Sequence, residues 1–160
     1  MKPQIPIVDE QDNIISYKNR EQLAPGDIYR VAALWIMNSV GDVLLAQRAF
    51  TKSHDPGRWG PAVAGTVEEG ESYESNIVKE AEEELGLNDI EPVPGPKLRV
   101  RGQHNHFTQR FTLVVDKPAS EFEIQKAEVD QVKWFSKQEL ERELNEHPEQ
   151  YLKSLRDMIT

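Results

Sequence analysis

The chain has 160 residues, enough for one domain with a proper core and too few for two, and 28 acidic against 19 basic residues leave a formal net charge of −9. That balance, with no basic block, disfavours nucleic acid or an anionic membrane surface as a partner, and an acidic protein handling phosphates must neutralise charge locally. There is no cysteine, which excludes disulfides, a thiolate nucleophile and zinc–thiolate sites, and no leader or membrane-spanning apolar run is legible, so a cytoplasmic location is the default expectation.

Residues 5–8 and 14–17 predict a short hairpin around Asp12-Asn13, within an N-terminal extension covering 1–25. Residues 29–37 give a strong strand pattern in which Trp35 alternates into the core. A turn at 39–42 leads to a second strand at 43–47. The segment 50–61, FTKSHDPGRWGP, is rich in turn formers and predicts a loop. Its Trp59 either plugs the structure or stacks on a ligand base, and the plug is the preferred reading. Residues 62–64 extend into a loop–helix unit at 65–87. Residues 92–96 read as a proline-rich connection, and strands follow at 98–101, 107–115 and 129–135, with Phe107, Phe111 and Trp134 expected in the core. The segment 137–160 predicts two helices, broken near His147-Pro148. Strands mixed with a central and a C-terminal helix suit an α+β protein built as an α/β/α sandwich, with 1–160 as one domain.

The loop–helix unit GTVEEGESYESNIVKEAEEELGL carries the chemistry. Glu80, Glu83 and Glu84 stand at i, i+3 and i+4, within an arc of roughly 100° of one helical face. Unpaired, they repel. A divalent cation relieves that, and hard oxygen ligands favour Mg²⁺ or Mn²⁺; the competing reading is an ordinary solvated acidic face. Ile77, Ala81 and Leu85 form the neighbouring stripe that the helix buries, and Glu82 points away from both. Ser72 is placed as an N-cap, Glu74 suits the positive end of the helix dipole, and Gly86 is placed to end the helix. Gly65 and Gly70 bracket a tight loop where positive φ is expected.

Arg30, Arg48 and Lys52 are candidates for the substrate phosphates, since guanidinium groups suit bidentate phosphate contacts. His104 and His106, two apart on a strand, should face one side, where imidazole could contact metal or phosphate or serve as a base. Glu128 is a further candidate base.

Gly65, five residues, Glu71, seven residues, then Lys79-Glu80-Ala81-Glu82-Glu83-Glu84-Leu85-Gly86-Leu87 resembles the signature of the Nudix hydrolases. The single departure is Lys79, where the family has Arg. The resemblance implies a Nudix-type α/β/α sandwich with a mixed sheet. It also implies Mg²⁺-dependent hydrolysis of a diphosphate linkage in a small molecule, often a nucleoside diphosphate joined to another group. Glu80, Glu83 and Glu84 would hold the metal, with Glu83 or Glu84 available as base, and Glu71 and Lys79 would support them. A homodimer is common in that family. Lys79 is expected to pair with Glu83 or with Glu71.

Val8-Asp9-Glu10, residues 26–30 and 44–49, residues 56–59, and Glu128-Val129-Asp130 with Trp134 are similar to the branch related to isopentenyl diphosphate isomerase. That enzyme has a catalytic Cys where this chain has Ala64, metal-binding His residues at Thr66 and Tyr29, and a Glu-any-Glu pair where this chain has His104-Asn105-His106. With no thiol its proton relay cannot be assembled. Three readings therefore stand: a pyrophosphohydrolase, a Nudix-fold binding protein that has lost catalysis through Lys79, and an isomerase relative. Which diphosphate is used is not written in the motif.

Overall fold

In the computed structural model, which describes residues 2–159, the apolar runs build a nine-stranded mixed sheet. Met1 and Thr160, the ends of the expected domain span, lie outside the described residues. Strands β1 (Ile5–Val8) and β2 (Ile14–Lys18) form the expected hairpin, with Asp12 in the left-handed region at φ 64°. Then follow β3 (Ile28–Met37), β4 (Val43–Arg48), β5 (Trp59–Pro61) and β6 (Val63–Thr66). Helix α1 (Tyr73–Leu85) is followed by β7 (Val93–Val100), β8 (Asn105–Val114), β9 (Val129–Phe135), α2 (Lys137–Glu146) and α3 (Leu155–Ile159).

The long strand β3 is the axis. Strand β8 runs parallel to it from Ile28↔Asn105 to Met37↔Val114. Its other edge is served in turn by β1 at Ile28, by β6 from Val31 to Leu34, and by β4 at Ile36 and Met37. Strand β4 continues past β3 to pair with β5 and β9.

The period-2 alternation of β3 sends its residues to opposite faces. Ala32, Leu34 and Ile36 pack with Ile77, Ala81 and Leu85 of α1, all fully buried. Ala33 and Trp35 pack on the other side with Leu140, Leu144, Tyr151 and Leu155, which come from α2, α3 and the turn between them. The result is the three-layer α/β/α arrangement that the sequence pattern implied.

Two segments depart from their expected form. The stretch 50–61 is not all loop: Trp59–Pro61 pairs with β4, anchored by the buried Trp59 ring edge-on to Phe135 at 5.4 Å. Trp59 is thus a plug. The proline-rich 92–96 lies largely inside β7, whose only partner strand among the described residues is β8. An edge strand tolerates prolines because its outer N–H groups face no neighbour, and the register shift between Pro94 and Lys97 absorbs the misfit. Phe107 and Phe111 are buried as expected, whereas Trp134 is half-buried and donates Nε1–H to the Lys117 carbonyl at 3.0 Å.

Candidate metal and phosphate cleft

Local signals fix the length and direction of α1. Ser72 accepts from the Ser75 amide at 3.0 Å, and Gly86 closes the helix at φ 69°. The helix lies so close to β6 that a Cβ on Gly65 would sit 2.6 Å from Glu80 Cγ and 2.9 Å from Asn76 Oδ1. This close approach, rather than the expected positive φ, is why glycine stands at 65; Gly70, at φ 83°, does need its conformational freedom.

Behind Glu80 sits a clamp. Lys79 Nζ lies 2.6 Å from Glu71 Oε2 and 2.9 Å from Glu68 Oε1, and only 3.8 Å from Glu80. Of its two expected partners the structure shows Glu71, not Glu83. The other Glu71 oxygen accepts from the Glu68 amide at 2.8 Å and from Asn76 Nδ2 at 3.0 Å. Asn76 is fully buried and also donates to the Thr66 carbonyl at 3.1 Å, while its Oδ1 has no hydrogen-bond partner.

Glu80, Glu83 and Glu84 open onto a cleft of about 860 Å³, which Arg48, Lys52, His104, His106 and Glu128 also line. Burial, reinforced by Glu80 and Glu128, pushes the Glu84 carboxyl up to about 8. Burial also raises Glu80, with Glu83 adding to the shift and Lys79 opposing it. Glu83 is exposed. The three side chains do not gather their ligand atoms within 4.8 Å of one another, as the surface group Glu143, Glu146 and His147 does. Half-buried carboxylates that favour protonation, all with oxygen donors, fit a hard divalent ion.

Across the cleft, Arg48 donates Nε–H to the His54 carbonyl at 3.0 Å, and Lys52 forms an ion pair with Glu128 Oε2. Strand β8 begins at Asn105, so His104 falls in the preceding loop, edge-on to His54 at 6.0 Å. His106 sits on the strand beside Tyr29, their rings 5.3 Å apart.

A family model for the NUDIX domain matches residues 28–157. The chain belongs to the Nudix family. An uncharacterized Nudix hydrolase of Yersinia pestis is 28% identical over 98% of this chain and 85% of its own length. An isopentenyl-diphosphate Delta-isomerase of Serratia proteamaculans is 32% identical over 51% of this chain and 46% of its own. The crystal structure of a Deinococcus radiodurans protein superposes with a TM-score of 0.85 at 21% identity, covering 98% of this chain and 96% of that one. At that identity the likeness is one of fold, and the fold is the Nudix sandwich. Nudix hydrolases generally depend on a divalent metal, usually Mg²⁺. Among the described residues no helix is long and apolar enough to cross a membrane.

One expected phosphate ligand of this Nudix domain lies elsewhere. Arg30 does not line the cleft: its Nε binds Asp12 Oδ1 at 2.8 Å, and its guanidinium lies 5.5 Å from the Tyr73 ring centroid. Strand alternation is the reason. Even positions of β3 face α1, whereas Tyr29 and Val31 face the cleft. Sequence reasoning missed Glu68 and Asn76. Asn76 left a signal, a polar residue one position before Ile77 of the buried helical stripe; Glu68 left none beyond its charge.

Proposed function

We propose that this Nudix domain hydrolyses a diphosphate linkage in a small molecule with Mg²⁺ or Mn²⁺ as cofactor, Glu80, Glu83 and Glu84 holding the metal. The observation that supports this most is the convergence of those carboxylates, Glu128, Arg48 and Lys52 on one cleft. A bound divalent ion would neutralise phosphate charge and make an attacking water more acidic. Lys79, Glu68 and Asn76 fix Glu71 behind the site. Arg48 keeps its terminal guanidinium nitrogens for phosphate oxygens, since among the described residues its side chain is bound only through Nε, to the His54 carbonyl. Lys52 occupies Glu128 Oε2, so Oε1 is the oxygen we assign to accept a proton from the attacking water.

The reading as a binding protein rested on Lys79 alone. Its position between Glu71 and Glu68 supplies the positive charge that a guanidinium would, which favours a working site. The isomerase reading has no thiol to use.

The test is a product-resolved hydrolysis screen with and without Mg²⁺ over nucleoside triphosphates, dinucleotides, nucleotide sugars and isoprenoid diphosphates. Mg²⁺-dependent cleavage is expected, falling by about 10²-fold or more in Glu83→Gln and Glu84→Gln with the fold retained. Near-wild-type turnover in both variants would sink the metal assignment.

A further inference from the structure

The family match begins at residue 28, so β1, β2 and the 3-10 turn at Arg20–Gln22 precede it. Yet Ile5, Arg20 and Leu23 of that extension line the same cleft as Glu80, Glu83 and Glu84. The extension is firmly seated. Ile5, Ile7 and Val8 are 0–3% exposed. Asp27 ties the turn down, binding Lys18 Nζ at 2.7 Å and accepting from the Ala24 amide at 2.8 Å. Arg20 therefore stands on a fixed base.

Its guanidinium has no hydrogen bond or ion pair among the described residues, although the chain carries a net charge of −9. Its charge acts on the half-buried Tyr29, whose hydroxyl also lacks a partner among the described residues. Tyr29 and His106 are register partners on the parallel strands β3 and β8, with rings tilted at 43°. His106 Nδ1 meets Thr108 Oγ1 at 2.8 Å, which leaves Nε2 for another partner. Burial holds this imidazole down at about 4, so it is neutral near pH 7.

These groups lie beyond the scissile position. Glu80 rests on Gly65, which pairs with Ala32, and Tyr29 is three residues further along β3. Three residues of strand span roughly 10 Å. That exceeds the length of a diphosphate, so a ligand reaching Tyr29 does so with its next moiety. A cleft of about 860 Å³ accommodates a nucleotide-sized molecule.

Resting on the hydrolase reading, we propose that Arg20, Tyr29 and His106 form a subsite for a second phosphate, a phosphomonoester carried by the substrate beyond the scissile diphosphate. A guanidinium fork, a phenol hydroxyl and an imidazole N–H supply donors for the three terminal oxygens of such a group. The partly exposed Leu23 supplies apolar surface for the moiety that bears it. The N-terminal extension is thereby a selectivity element added to the family core.

The test uses matched pairs that differ by one phosphomonoester: NADPH against NADH, and coenzyme A against its dephospho form. The wild type should prefer the phosphorylated member of at least one pair by about tenfold or more in kcat/KM, through KM. Arg20→Gln should shrink that preference to about threefold or less, and Arg20→Lys should fall between. Equal loss on both members, or no preference in the wild type, overturns the subsite. Calorimetric binding of the same pairs with Ca²⁺ replacing Mg²⁺ separates the two readings. Arg20-dependent preference in binding without turnover keeps the subsite and sinks the hydrolase; turnover without that preference does the reverse.

Discussion

Lys79 in place of the family's arginine leads to a quantitative expectation about Asn76. A guanidinium can donate to both oxygens of Glu71. Here the work is divided, with Lys79 on Oε2 at 2.6 Å and Asn76 on Oε1 at 3.0 Å. Asn76→Ala removes a charge-assisted hydrogen bond worth about 1.5–3 kcal/mol, and it deprives the Thr66 carbonyl of its Asn76 donor. It also removes the unpartnered Oδ1, which returns part of that, so a net loss of about 1.5 kcal/mol is expected. Lys79→Arg should change stability by no more than about 0.5 kcal/mol and leave kcat/KM unchanged or raised. Combined with Lys79→Arg, the Asn76→Ala change should cost only about 0.5 kcal/mol, because the guanidinium reaches the oxygen that Asn76 abandons. The coupling of about 1 kcal/mol is one of folding stability, so the urea midpoints carry it. Four proteins measured at limiting Mg²⁺, with urea midpoints alongside, complete the cycle. Additive effects to within about 0.3 kcal/mol would refute the division of labour.

Glu84 links pH, metal and stability. Its folded-state value of about 8 lies above the ordinary 4.5. Without metal, the stability tied to this proton is present below the unfolded value and is lost as pH rises towards 8, levelling off above it. Discounted for partial solvent access, the loss is on the order of 3 kcal/mol. Glu84→Gln should flatten the pH 5–9 urea-midpoint curve in EDTA and stabilise the metal-free protein at pH 8 while abolishing turnover; an unchanged slope would contradict the assignment. Gly65→Ala drives a methyl into Glu80 and Asn76, so the Mg²⁺-induced thermal shift should shrink by half or more; a full shift would show that the helix can move away. Asp12 binds Arg30, Lys97 and the Tyr73 hydroxyl, each at 2.8 Å. Asp12→Asn should cost about 3 kcal/mol by urea unfolding. Burial raises the Asp12 carboxyl, but the hydrogen bonds from Lys97, Arg30 and Tyr73 outweigh it and hold the group below its usual 3.8, so its contribution is present above that value and disappears as pH falls below it.

What the sequence disclosed were features with short-range causes. Helix period, the Ser72 cap and the Gly86 stop are decided within a few residues, so the carboxylate face of α1 and its buried stripe were legible before any fold was known. Strands β3 and β4 were legible as near-continuous apolar runs with a core on both faces, and β9 by the period-2 alternation of Val132 and Trp134 with the exposed Gln131 and Lys133. The short β5 was not: its stability comes from Trp59 docking against Phe135, a contact distant in sequence, which no window of turn formers encodes.

The site followed the same division. Arg30 and Arg48 look alike in sequence, each a cation beside an apolar strand. What separates them is parity on the pleat together with the position of Asp12, and Asp12 reaches Arg30 only because the N-terminal hairpin folds back over β3. Lys52 meets Glu128, and Tyr29 meets His106, through pairings that the sheet alone creates. A spacing motif can thus name the carboxylates that share the cleft, since one helix carries them all. The other polar groups that line it arrive from β3, β4, β8 and the loops beside them, and the register of the sheet decides which they are. Among the described residues the Arg48 side chain is bound only through Nε, to the His54 carbonyl, while Lys52 takes Glu128 and Lys18 takes Asp27. On the proposed reading, selectivity is a property of this ion-pair network as much as of the shape of the cleft.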